Sequence, residues 1–151
     1  MSLDVYLIGD TPVPVTGSGI FVREAGTTIE ITDEEWQRRF PGVTPARVIK
    51  NPDATTTTLY HGNITHNLNR MAEAANIYAQ LWRPDECGIT LAQSLILPLA
   101  AGLNRLRNDP AMYRAYNPEN GWGTYEHLVA FVAAYLKACI DHPTARIEVS
   151  R

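Results

Sequence analysis

The sequence is poor in the features that most quickly assign a protein to a class. Only two of its 151 residues are cysteine, Cys87 and Cys139, and neither stands in a CxxC or comparable spacing, so no structural zinc is expected. A reducing compartment and a domain of this size favour free, mostly buried thiols over a bridge. Basic charge is scarce as well. A net charge of -3 and a pI near 5.8 leave no cluster of Lys and Arg to displace counterions from a duplex, so no nucleic-acid duplex is expected as partner. The longest apolar stretch, Leu95–Leu103, is far shorter than a bilayer span and contains Pro98, which assigns it to a core and predicts no membrane association. The opening MSLDVYLIGD carries Asp4 and has neither a basic n-region nor a long apolar h-region. It therefore reads as cytoplasmic and not as a secretory signal. There is no GxSxG elbow, Walker loop, GxGxxG or HExxH, and no repeat, heptad or low-complexity tract beyond TTTT at residues 55–58.

What is present suits one α+β domain spanning residues 1–151, since 45% of the residues are hydrophobic and a chain of this length buries most of its unfolded surface. The pattern changes near residue 62. Before it, Gly, Pro and Thr accompany alternating apolar residues; after it, apolar residues recur every three or four. Leu3–Gly9, Gly19–Glu24, Thr27–Thr32 and Thr55–His61 read as strands, the middle two forming a hairpin around Ala25–Gly26. Thr32, with Glu35 three residues on and Ile31 facing Trp36, marks a helix start that Phe40-Pro41-Gly42 soon stops.

From Thr65 to about Trp82 the positions Leu68, Met71, Ala75, Tyr78 and Trp82 predict one amphipathic helix. Thr90 with Gln93 reads as a capping box opening a second, in which Leu91, Leu95, Leu99, Leu103 and Leu106 form a stripe that Pro98 kinks without ending it. A short helical turn follows at Ala111–Ala115, then a loop at Asn117–Gly123. Thr124 caps a last helix at Tyr125–Asp141, and ARIEVSR reads as a closing strand. Both chain ends and Thr55–His61 then form a small sheet with about three main helices on one face. The segment from about residue 11 to 53 reads as a peripheral insertion, whose exposed strands offer a route to a homodimer.

Two polar clusters stand out. HGNITHN (His61–Asn67) precedes a helix: with Thr65 as N-cap, His66 and Asn67 lie in the first turn, where spare N–H groups and the helix dipole disfavour imidazolium. A neutral His66 could accept a proton, donate a hydrogen bond or bind a metal. The plainer reading is that Asn63 and Thr65 only cap the helix. NPENGWGTYE brings Asn117, Glu119, Asn120, Trp122, Tyr125 and Glu126 together, with glycines on both sides of Trp122. That ring is either a stacking plate or a plug on the helices. If both helix starts open on one end of the helical layer, they form a shared cleft. Its binding residues would be Asn63, Thr65, His66, Asn67, Arg70, Asn120, Trp122, Tyr125 and Glu126, with Trp122 as plate and Arg70 as a cation for an anionic ligand.

GNITHNLNRMAEAANIYAQLWRP, NPENGWGTYE and the ending IEVSR resemble a family of small uncharacterised proteins carried by bacteriophages, prophages and bacteria. The likeness covers the first strand and residues from about 60 onward. It matches ITHN to Ile64–Asn67 and NGWG to Asn120–Gly123, and departs most over Thr11–Asp53. The resemblance implies a phage-type accessory setting and no particular activity. The residues favour a binding protein for a polar, ring-bearing small molecule such as a nucleotide derivative, or for a host protein, with no cofactor and no metal. The alternative is a hydrolase or transferase on a similar ligand with His66 and Glu126 as acid and base. A metal held by His61, His66 and Glu126 is a further possibility, although the two histidines lack helical i, i+4 spacing.

Overall fold

A computed structural model describes residues 1–10, 17–48 and 56–151. The ends of the expected insertion, residues 11–16 and 49–53, and Thr55 lie outside the described residues. Contacts divide the chain into two compact units, Met1–Asp10 with Thr57–Arg151, and Thr11–Thr56.

In the larger unit, β1 (Ser2–Gly9) is the central strand of an antiparallel sheet, flanked by β4 (Thr57–Thr65) and β5 (Arg146–Ser150). The period of two decides the faces. Leu3, Val5 and Leu7 are fully buried, and opposite them on the same face stand Ile64, Ile147 and Val149. Asp4 and Tyr6 occupy the other face with their partners Asn63 and His61. On the buried face pack α4 (Gln93–Asn108) and α6 (Tyr125–Asp141), along with Leu68, Met71, Leu81 and Trp82. This is the α+β arrangement expected, with both chain ends and the threonine-rich strand side by side. Gly9 and Thr57 are register partners.

In the smaller unit, β2 (Ile20–Glu24) and β3 (Thr27–Ile31) form the expected hairpin, with Ala25 and Gly26 both at positive φ in its turn. Thr32 caps α1 (Asp33–Arg39), its Oγ1 accepting from Glu35 N at 3.2 Å. The return half of the capping box is not made, because the Glu35 carboxylate pairs with Arg39 at 2.6 Å.

Three expectations need correction. The single helix over Thr65–Trp82 is instead a 3-10 turn at His66–Leu68, then α2 (Asn69–Ala74) and α3 (Tyr78–Trp82). The break is a Schellman end: Asn76 takes φ 57, Asn76 N donates to Glu73 O, and Ile77 N donates to Ala72 O. Asparagine tolerates that conformation, and buried Ile77 against buried Ala72 supplies the accompanying apolar contact. Ile77 also abuts Gly102 of α4, where an added Cβ would lie 2.2 Å from Ile77 Cγ2.

The second correction concerns Thr90, which does not cap α4. Thr90 O accepts from Ile147 N and Leu91 bridges to Arg146, so both extend alongside β5. The free N–H groups of Ala92 and Gln93 are met by Ala145 O and Pro143 O, each at 2.9 Å, which makes a side-chain cap unnecessary. Pro98 lies inside a helix that continues through it, as expected. α5 (Pro110–Arg114), the cap of Thr124 and the bounds of α6 also follow the sequence reading.

Third, β4 runs through HGNIT to Thr65, so His61 stands within a strand and not at its end. Both cysteines are free, but Cys87 is exposed rather than buried.

Candidate functional site

The ITHN and NGWG segments touch. Asn67 Nδ2 donates to Trp122 O at 3.3 Å, and Gly123 packs so closely that a Cβ there would lie 2.7 Å from Thr65 Cγ2 and 2.9 Å from Leu68 Cγ. Only glycine combines that approach with a φ of 100. The loop around them is held by its own asparagines: Asn120 Oδ1 accepts from Trp122 N at 3.0 Å, and Asn117 Oδ1 accepts from Tyr125 N at 2.7 Å. Held this way, the Trp122 side chain stands out into solvent, 72% exposed, so it is no plug.

Of the clefts around this contact, two are lined by His66. One, of about 760 Å³, is lined by Asn63, Thr65, His66, Asn67, Asn120 and Trp122 together with Met1 and Ser2. The second, of about 630 Å³, is lined by His66, Asn67, Asn69 and Arg70 on one side and by residues of the Ala115–Glu119 turn on the other. His66 and Asn67 line both. No protein family, curated protein or solved structure matches this chain. Its site must therefore be read from its own geometry.

Thr65 Oγ1 accepts from Asn67 N at 3.3 Å, opening the 3-10 turn and setting His66 at its start. The His66 ring then meets Trp82, whose indole N–H donates to Nδ1 at 2.9 Å. Trp82 is 2% exposed, and the bond satisfies an indole donor that burial would otherwise strand. Because Nδ1 is the acceptor, the ring proton sits on Nε2, which is itself shielded from water and meets no acceptor. This overturns His66 as a base, since its one lone pair is already engaged. It leaves His66 as a neutral donor.

The remaining expected residues separate. Tyr125 is 6% exposed, its hydroxyl donating to Leu106 O at 2.8 Å; it is a core residue and not a ligand contact. Glu126 lines neither cleft around His66, and its carboxylate accepts from Arg114 Nε at 2.8 Å. Its own backbone N–H first, then Arg114, hold that carboxyl below the ordinary glutamate range, the opposite of what a general acid requires. The His66/Glu126 acid–base pair is thus not assembled. Nor is the three-residue metal set, because His61 Nε2 bonds to Asp4 Oδ1 at 2.9 Å while His66 and Glu126 have the partners just named.

That Asp4–His61 contact belongs to a network the sequence reading missed. Asp4 Oδ1 also accepts from Asn63 Nδ2 at 2.8 Å, and Tyr6 stacks on His61 with centroids 4.6 Å apart. Asn63 and His61 together, Asn63 foremost, lower the Asp4 pKa. The network places Asn63 at the cleft wall. Its signal was in principle readable, because facing residues of an antiparallel pair share a face, but only once the β1–β4 register was known.

Proposed function

We propose that the cleft beside Trp122 binds a small polar ligand bearing a ring, such as a nucleotide derivative. In this reading the chain is an accessory protein of the phage type that its ITHN and NGWG segments resemble. The observation that carries the proposal is Trp122: a large aromatic side chain kept in solvent on a loop whose backbone is pinned by Asn67, Asn117 and Asn120. Stacking on such a plate is worth about 1–3 kcal/mol for a nucleobase and tolerates many rings. Polar capacity stands beside it. Asn63 Oδ1, Asn67 Oδ1 and Asn120 Nδ2 have no partner among the described residues, so acceptors and a donor face a cleft of a volume usual for small-molecule sites. A polar lining of this kind favours a small ligand over the apolar pocket that seats a protein anchor.

Binding without turnover is the form of the proposal, because neither His66 nor Glu126 is available for proton transfer. The test is to incubate the chain with a nucleotide and metabolite pool, remove unbound material, denature, and identify the released masses. Unchanged ligand, retained by the wild type and lost by Trp122→Ala at unaltered melting temperature, is the expected result. New masses accumulating with time would favour the hydrolase or transferase alternative, and equal retention by Trp122→Ala would sink the site.

A further inference from the structure

We infer that the ligand carries an anionic group on its ring-bearing body, and that this group lies in the second cleft, over Arg70, while the ring lies against Trp122. The inference rests on the binding site proposed above and gives that site a direction.

The two clefts share His66 and Asn67 in their linings, and they differ in chemistry. The first offers the indole and asparagine amides. The second offers Arg70, one helical turn beyond His66, whose guanidinium is exposed and engaged in no ion pair or hydrogen bond among the described residues. A guanidinium is a donor without acceptor capacity. The group that answers it is an oxygen anion, a phosphate or a carboxylate, and charge assistance makes such bonds shorter and stronger than neutral ones.

Glu119 lines the same cleft. Its carboxylate repels an incoming anion and accepts from a hydroxyl or amine donor, so it limits how strongly the cleft takes an anion. Removing its charge therefore has a predictable sign. A planar ring joined through a hydroxyl-bearing linker to a phosphate presents these groups in the order the two clefts require. An aromatic carboxylate presents the ring and the anion alone.

The experiment is calorimetric titration of the full chain, at low and moderate salt, with adenosine, adenosine 5′-monophosphate, indole-3-acetate and inorganic phosphate. The expected result is that the monophosphate or the aromatic carboxylate binds about tenfold or more tightly than adenosine, an advantage that shrinks with salt. Whichever of the two binds more tightly identifies the anion. Arg70→Gln should erase the advantage, Glu119→Gln should enlarge it, and Trp122→Ala should weaken every ring-bearing probe. Equal affinity for adenosine and its monophosphate, with Arg70→Gln silent, would overturn the inference and leave the ring site standing. Phosphate binding through Arg70 without any ring preference would overturn the spanning geometry. Absence of binding by every ring probe would remove the site reading and this inference with it.

Discussion

Substituting Gly123 by alanine tests the contact on which the site is built. Two costs arise. At φ 100 an L side chain is strained, about 1–3 kcal/mol. The new Cβ would also lie 2.7 Å from Thr65 Cγ2 and 2.9 Å from Leu68 Cγ, and neither neighbour yields easily. Thr65 cannot rotate without losing its bond to Asn67 N, and Leu68 is fully buried. Overpacking of that kind costs about 1–3 kcal/mol, so the sum is about 2–6 kcal/mol. Gly121 is the internal control: its φ of 72 carries the backbone cost, but nothing lies within 4 Å of an added Cβ. Urea unfolding followed by far-UV circular dichroism should therefore show Gly123→Ala less stable than Gly121→Ala by about 1–3 kcal/mol. At an ordinary urea slope that is a midpoint difference near 1 M. Thr65→Ser removes the clashing methyl and keeps the capping oxygen, so adding it to Gly123→Ala should recover part of the loss and reveal a coupling energy. Equal destabilisation by the two glycine variants, or no recovery in the double variant, would refute the close packing of NGWG on ITHN.

Gly102→Ala offers a contrast, because alanine normally stabilises a helix interior by about 1 kcal/mol. Here its Cβ would meet Ile77 Cγ2 at 2.2 Å. We expect a net loss of about 1–3 kcal/mol in the same assay, relieved by Ile77→Leu, which lacks the branched methyl; a stabilised Gly102→Ala would contradict the packing. Burial pushes the Cys139 thiol up to about 12 while Cys87 is exposed. A disulfide reagent at neutral pH should thus titrate one thiol in the native chain and two in denaturant, and two fast-reacting native thiols would refute the burial. The Asp4 carboxyl, held below its usual value of 3.8 by Asn63 and His61, gives stability that is present above the unfolded pKa and lost as pH falls through the lower folded one. Urea midpoints taken from pH 5 downward through and below 3.8 should accordingly fall more steeply for the wild type than for Asp4→Asn, and parallel slopes would argue against the network.

What the sequence determined by itself is everything whose partners lie within a turn or two along the chain. Thr32 and Thr124 each find their acceptor role three residues ahead, the Ala25–Gly26 turn brings its two strands together, and the leucine stripe carries α4 through Pro98. The end of α2 was legible in Asn76, the residue type that replaces glycine at a left-handed helix end, but the apolar spacing across it masked the signal. Tertiary structure decided the rest, because the competing partner came from far away in sequence. Thr90 gave up its capping role when Ile147 took its carbonyl, and β4 grew through HGNIT because β1 supplied register partners all the way down to Ser2 opposite Thr65. The same holds for the site. Spacing brought His66, Asn67 and Trp122 into consideration, but whether Trp122 faced solvent or core depended on Asn67 reaching Trp122 O and Gly123 packing on Thr65 and Leu68 across the fold. The chemistry of His66 depended on Trp82: an indole N–H that burial obliges to find an acceptor takes Nδ1, and thereby turns the expected base into a donor.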